Sequence, residues 1–318
     1  MKRMTKTSSK VKPKVTIRRP IDRGDGMMIV IDAMSDFYRH YYKLKHVMPG
    51  SEHYAGFFGM VRGVFAHRNT FKSNDIRVVW EGSSQVRKQL TGKYKGDRKR
   101  MEGNFYEQVN DTQEFLSHFF KQYYVDGYET DDLLATIASQ RSKNGKKTII
   151  ISGDYDMHQM IDENTYVYHA AKKELHTLED YNKEDVFPPS LLGLWALEGD
   201  KSDNIDGVKG LKQRPKIVKA YYPNELHQKN LISDEQFYEI NIAFIDKMLE
   251  DKDGIISVND KEKIKNHLEL IYDNMNLIRL RLVSPKHYLK IEKLHLMRGR
   301  VNLLLYLKKH ERILKVLY

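Results

Sequence analysis

The sequence predicts an α/β fold in which a parallel sheet is covered by helices on both faces, and two observations carry that prediction. Short runs rich in Val and Ile, at 28–31, 76–80 and 148–152, lack the polar alternation of a half-exposed sheet, so both of their faces should be buried. Between them lie amphipathic stretches long enough to form the crossover helices that parallel neighbours require. A third observation concerns function. Acidic residues follow these runs directly, and open α/β sheets bind ligands beyond the carboxyl ends of their strands.

Residues 1–27 hold nine Lys or Arg, several Ser and Thr and almost no apolar periodicity, and read as a flexible basic arm that could brush against phosphates. The fold is expected to begin at Met28. A strand over 28–31 leads into helices over 35–44 and 54–69, then a strand over 76–80. A long basic excursion follows, then a helix over 105–121. The next helix opens at Glu129, with Leu133, Leu134, Ile137 and Ala138 as its buried stripe. Strands over 148–152 and 165–169 complete the sheet. Further on, 235–250 and 303–317 have the pattern of amphipathic helices. The expected division is an arm at 1–27, a core at 28–190 and a helical remainder at 191–318.

With 318 residues the chain can bury a large core plus a smaller attachment. It carries 54 Lys and Arg against 43 Asp and Glu, a formal charge of +11, which suits a polyanionic partner. There is no cysteine, so disulfides and thiolate metal sites are excluded and a reducing compartment is expected. No apolar run approaches the ~18 residues of a membrane span, and the basic amino terminus lacks the apolar stretch of a secretory signal. A cytoplasmic monomer with no membrane partner is the expectation.

Nine carboxylates fall in five short stretches: Asp32; Glu81; Glu129, Asp131 and Asp132; Asp154 and Asp156; Asp200 and Asp203. Gathered at one rim they would repel each other strongly unless cations sat among them, and hard divalent metal is the simplest such cation. Taken singly, Glu129 and Asp132 would serve as well to cap a helix and favour its dipole. The two acids after the 148–152 strand, and the same three-residue spacing at Asp200 and Asp203, weigh towards metal. Thirteen histidines form no HExxH pair and read as surface or core residues. No Walker-type glycine loop is present, which argues against a nucleotide-driven motor.

Four segments together resemble the signatures of the 5′ nuclease family: Tyr94-Lys95-Gly-Asp-Arg98, Gly127-Tyr-Glu-Thr-Asp-Asp-Leu-Leu-Ala-Thr-Ile-Ala138, Ser152-Gly-Asp-Tyr-Asp156 and Gly199-Asp-Lys-Ser-Asp-Asn-Ile-Asp-Gly-Val-Lys-Gly210. That family includes flap endonucleases, bacteriophage 5′-to-3′ exonucleases of the RNase H type and the 5′ nuclease domain of bacterial DNA polymerase I. Order and spacing agree over roughly residues 28–225, and four linked motifs are far more specific than one. The resemblance implies a PIN-like core, a helical arch near 83–125 and a helix-three-turn-helix clamp on duplex DNA. It implies a first metal cluster of Asp32, Glu81, Glu129, Asp131 and Asp132, and a second of Asp154, Asp156, Asp200 and Asp203. Two Mg²⁺ ions, replaceable by Mn²⁺, would act in phosphodiester hydrolysis.

Seven of the fourteen residues from Arg87 to Arg100 are Lys or Arg. By the resemblance, Lys95 and Arg98 act at the scissile phosphate, Arg87 and Lys93 steer phosphates and Tyr94 stacks on a terminal base. Farther along, the 207–221 stretch holds five basic residues and no acid. Gly207, Lys209, Gly210, Lys212, Arg214 and Lys216 would grip a duplex strand without reading sequence.

The chain also departs from the family pattern. Glu81 stands where Asp is usual, Tyr155 replaces a common Lys, Asp206 a common Pro and Lys212 a common Gly, and the last bears on whether the clamp holds K⁺. The expected activity is removal of 5′ flaps or RNA primers in replication or repair, on branched or nicked duplex DNA and RNA/DNA hybrids. Residues 286–318 are a helical cap or a dock for a single-strand-binding or replisome partner. A catalytically silent binder of branched DNA and a PIN-type single-strand ribonuclease are the alternatives.

Overall fold

The computed structural model describes residues 26–45, 54–82, 85–92, 94–96, 101, 103–124, 127–227 and 231–284. Residues 1–25 of the basic arm, Lys93, Arg98, a few other residues of the expected arch and residues 285–318 lie outside them. In order come β1 (Met28–Asp32), α1 (Ala33–Lys45), α2 (Ala55–Phe71), β2 (Asp75–Trp80), α3 (Gln85–Leu90), α4 (Phe105–Ser117), β3 (Lys121–Tyr124), α5 (Thr130–Ser142), β4 (Thr148–Ile151), β5 (Thr165–His169) and β6 (Glu174–His176). Then follow α6 (Leu178–Lys183), α7 (Leu191–Glu198), the two-residue strands β7 (Gly199–Asp200) and β8 (Ile205–Asp206), α8 (Arg214–Tyr221), α9 (Asp234–Glu250), α10 (Val258–Lys265) and α11 (Leu268–Ile278).

The main sheet has the order β3-β2-β1-β4-β5-β6 and is parallel except for β6, which runs antiparallel at the edge. Strand β1 is central. The chain builds outward from it through β2 and β3, then returns to its other side with β4. The sheet therefore reverses direction between β1 and β4, which is where a doubly wound sheet leaves a crevice at its carboxyl edge. Register fixes that edge: Asp32 pairs with Val79 of β2, and Ile31 with Ile151 of β4.

Both faces of β1 are covered, as its unbroken apolar sequence requires. Ile29 and Ile31 pack with Phe37, Phe57, Met60 and Val64 of α1 and α2. Met28 and Val30 pack with Leu133, Leu134 and Ile137 of α5. A separate apolar cluster unites α7, α8, α9 and α11 through Leu192, Ile217, Ile240, Phe244, Ile271 and Met275, and includes Tyr94. Among the described residues no helix is long and apolar enough to cross a membrane.

Two elements differ from expectation. The helix expected over 105–121 stops at Ser117, and Lys121–Tyr124 forms β3. This edge strand buries only Gln122, so its Lys-Gln-Tyr-Tyr sequence lacks the apolar run that reveals the inner strands. Strand β6 is likewise three residues of polar edge, Glu-Leu-His.

Candidate metal and nucleic-acid site

Eight of the nine acids expected to hold metal act on one another electrostatically near the carboxyl ends of β1 and β4. Asp32 closes β1, and its two oxygens accept from the Ser35 backbone N–H at 3.0 Å and the Ser152 hydroxyl at 2.9 Å. The Ser152 oxygen in turn accepts from the backbone N–H of Asp154 at 3.1 Å. One serine after β4 thus ties two acid-bearing loops together. Asp154 caps the short turn Tyr155–Met160 by accepting from Asp156 N at 2.9 Å. Asp200 does the same for Lys201–Asp203, accepting from Ser202 N at 2.7 Å.

The charges act as one group. Burial, reinforced by Asp154 and Glu81, pushes the Asp32 carboxyl up to about 7 despite its bonds to Ser35 and Ser152. Asp131 is raised well above the usual carboxylate range by burial and then by Asp154 and Asp32. Asp156 is raised in the same way by burial, Asp154, Asp200 and Asp203. The two expected clusters are therefore one electrostatic unit in which protons compete with any other cation. Among the described residues, no three His, Asp or Glu side chains stand close enough together to hold a metal ion as they are. Hard oxygen donors that disfavour their own ionisation still suit a small divalent ion, because magnesium keeps several waters and needs few direct carboxylates.

Lys95 bridges the two sets. Its ammonium donates to Glu129 Oε1 at 2.8 Å and lies 3.7 Å from Asp203 Oδ2. Burial alone would lower its pKa, but Glu129, then Asp203 and Asp131, raise it, so the residue is a fixed positive charge. Tyr94 sits beside it. The Tyr94 hydroxyl lies 3.0 Å from Glu129 Oε2 and 3.1 Å from Asp203 Oδ2, so the two acids compete for one hydrogen.

Three expected roles do not match these positions. Asp132 is fully buried, and each of its oxygens already accepts two hydrogen bonds. Oδ1 accepts from Arg87 Nη2 at 2.8 Å and Arg281 N at 2.9 Å. Oδ2 accepts from Arg87 Nη1 at 2.6 Å and Glu129 N at 3.3 Å. A carboxylate has about four acceptor sites, so none remains for a metal.

Arg87, expected to steer phosphates, is equally committed. Besides Asp132 it donates to Leu277 O at 2.9 Å and Arg279 O at 3.1 Å, and its Nη1 lies 3.1 Å from Glu129 Oε2. Its five N–H groups are spent inside the protein. Tyr94, expected to stack on a base, is 4 % exposed, with its ring packed in the core of the α7–α11 lobe.

The 207–216 segment divides. Lys209, Lys212 and Lys216 are exposed. Arg214 instead donates to Val208 O at 2.7 Å. Gly207 serves close packing, since a Cβ there would lie 2.1 Å from Glu198 O, and Gly210 turns the chain at φ +70°. The expected approach of Gly207 to a phosphate is thus an approach to the chain's own backbone.

Other residues escaped the sequence reading. Ser152 was visible only as part of a motif. Arg281 contributes through its backbone N–H, which no side-chain pattern reveals. Lys172, on the β5–β6 turn, places its ammonium 4.6 Å from the centroid of the Tyr155 ring.

The chain is similar to known proteins in sequence and fold. Residues 27–187 match the family described as 5′-3′ exonuclease, N-terminal resolvase-like domain. The chain is 28 % identical over 201 residues to a 5′-3′ exonuclease of Buchnera aphidicola, covering 61 % of this chain and 70 % of that protein. It is 28 % identical over 242 residues to a DNA polymerase I of Caldicellulosiruptor bescii, covering 70 % of this chain but 28 % of the polymerase. Among solved structures, a bacteriophage T5 flap endonuclease in a complex with DNA and metal ions superposes with a TM-score of 0.65 at 18 % identity, covering 86 % of this chain and 99 % of that one. The T5 5′-exonuclease with bound zinc gives a TM-score of 0.63 at 18 % identity over 86 % of this chain and 100 % of that one. At such identities the likeness is one of fold.

Proposed function

The chain belongs to the 5′-3′ exonuclease family, a family of metal-dependent nucleases, through its N-terminal resolvase-like domain, and on that premise we propose that it hydrolyses phosphodiesters at the 5′ ends and flaps of branched or nicked duplex DNA and of RNA/DNA hybrids. The observation that carries this reading is the gathering of Asp32, Glu81, Glu129, Asp131, Asp154, Asp156, Asp200 and Asp203 into one mutually repelling group beside Lys95. Removal of 5′ flaps or RNA primers in replication or repair is the cellular role it suits.

In this reading Asp32, Glu81, Glu129 and Asp131 hold one divalent ion, and Asp154, Asp156, Asp200 and Asp203 a second. Magnesium is the proposed ion, with manganese able to replace it. Bound there, the ions would neutralise the scissile phosphate, favour deprotonation of the attacking water and stabilise the leaving oxygen. The chain's own residues do the positioning. Ser35 and Ser152 hold the Asp32 carboxylate in one orientation. Lys95, fixed between Glu129 and Asp203, offers its charge to the phosphate oxygens as negative charge builds on them. Exposed Lys209, Lys212 and Lys216 grip the duplex backbone beyond the cut. Residues 28–190 would then form the nuclease core, with the helical arch at 83–125, and residues 191–318 the clamp.

The test uses four 5′-labelled substrates: a flap, a nicked duplex, an RNA/DNA hybrid and a single-stranded RNA. Each is incubated with magnesium, with EDTA, and with the Asp154→Asn variant. Metal-dependent release of short 5′ products from the branched or hybrid substrates, lost in the variant, is expected. Cleavage of single-stranded RNA alone would replace the proposal with a PIN-type ribonuclease. Binding of the flap without cutting, even in manganese, would replace it with a silent DNA-binding protein.

A further inference from the structure

The turn between β8 and α8 is held by two cationic side chains. Val208 and Leu211 are buried and anchor it, with Val208 N donating to Leu197 O at 3.0 Å. Gly210 and Gln213 reverse the chain at φ +70° and +52°. The Val208 carbonyl accepts from Arg214 Nη2 at 2.7 Å. The Gly210 carbonyl accepts from the ammonium of Lys263, on α10 and 53 residues away, at 2.8 Å.

Lys263 is itself held from beneath. Its Nζ donates to Asp260 Oδ1 at 2.7 Å, one helical turn earlier. Asp260 is 6 % exposed, and its backbone N–H donates to the Ser257 hydroxyl at 3.1 Å, so the carboxylate belongs to a capped and rigid helix start. The ammonium is thus wedged between a buried carboxylate and a carbonyl of the exposed turn.

The family resemblance implies a potassium ion in this turn, and these contacts do not fit one. A potassium ion is held by several carbonyl oxygens at once. Here the Val208 and Gly210 carbonyls already face a guanidinium and an ammonium. An ammonium meets oxygens through directed N–H donors, and a second cation at the same carbonyl would meet its repulsion.

We propose that Lys263 is a tethered cation that holds the 207–213 turn in its duplex-gripping shape in place of a monovalent metal ion, so that this protein binds duplex without a requirement for K⁺. The proposal rests on the reading of this turn as the duplex clamp. Lys263 acts as a positioning residue, with Asp260 orienting it, and Lys212 and Lys216 touch the nucleic acid.

The test is the affinity of the full chain for a nicked duplex, measured by fluorescence anisotropy in EDTA at matched ionic strength in KCl, NaCl, LiCl and tetramethylammonium chloride. Wild type is expected to bind within about twofold across the four salts. Lys263→Met is expected to bind at least about fivefold more weakly in LiCl, and Lys263→Arg to retain most of the affinity; far-UV circular dichroism and thermal melting establish that each variant is folded. A fivefold or greater preference of wild type for K⁺ over Li⁺ overturns the proposal whatever the variants do. So does a folded Lys263→Met that binds like wild type. Lys212→Ala and Lys216→Ala separate the two readings. If they weaken binding while Lys263→Met does not, the tethered cation alone is wrong; if they too bind like wild type, the clamp reading falls and this proposal with it.

Discussion

Asp132 decides whether the buried cluster behind the acids is a clasp or part of a metal shell. In the clasp, Arg87 and the 277–283 segment are pinned to α5 through one fully buried carboxylate with four accepted hydrogen bonds. Arg87→Met strips two charge-assisted bonds from that carboxylate and leaves the charge buried. Losing one partner of a buried pair costs about 3–5 kcal/mol. Asp132→Asn keeps the shape but halves the acceptor capacity, and should cost on the order of 2–3 kcal/mol, with one buried guanidinium left short of an anion. Combining Arg87→Met with Asp132→Leu removes both charges, so the double variant should lose less than the sum of the single variants by about 2 kcal/mol.

Urea unfolding followed by tryptophan fluorescence supplies these values. Manganese binding, followed by electron paramagnetic resonance, supplies the second axis. Asp132→Asn should bind manganese like wild type, whereas Asp131→Asn should bind it at least tenfold more weakly. If Asp132→Asn loses manganese as Asp131→Asn does while its urea midpoint is unchanged, the clasp is refuted and the carboxylate is a ligand.

Lys95→Met should lower single-turnover flap cleavage by on the order of 10²-fold with duplex affinity changed by less than about tenfold, because the charge is held among the acids. Gly207→Ala should lower stability by at least ~1–3 kcal/mol in a thermal melt, since its Cβ would lie 2.1 Å from Glu198 O. Buried His227, bonded to the Tyr222 hydroxyl, has a pKa lowered by burial to about 4. The unfolded chain therefore takes up that proton first as pH falls below 6.5, and stability is lost between pH 6.5 and 4. His227 should account for about 3 kcal/mol of loss by pH 4, so the decline should be smaller by about that amount in His227→Gln, as urea unfolding at a series of pH values would show.

The acids were legible because each follows a feature that sequence marks strongly. Asp32, Glu81 and Asp154 end apolar runs, and Glu129 opens an apolar helical stripe. That the strand ends share one rim follows from parallel topology, while the grouping with Asp200 and Asp203 came from the family resemblance. What stayed hidden depends on contacts far along the chain. The spacing of Glu129 and Asp132 fits both a metal pair and a capping box, and the structure shows the box, with Asp132 accepting from the Glu129 N–H. Arg87, and the Arg281 N–H that returns nearly 150 positions later, fill the other acceptor sites of Asp132. Tyr94 reads as a basic-loop aromatic, yet its ring completes the core of the α7–α11 lobe. Strand β3 was missed because an edge strand pairs through its backbone and needs no apolar run.

We propose that the eight acids near the carboxyl ends of β1 and β4 hold divalent cations. Anomalous diffraction from crystals soaked in manganese tests it most directly. Peaks are expected between Asp32 and Asp131, and between Asp154, Asp156 and Asp203, each with carboxylate oxygens at bonding distance. Manganese bound only elsewhere on the protein, with this crevice empty at millimolar metal, would contradict it.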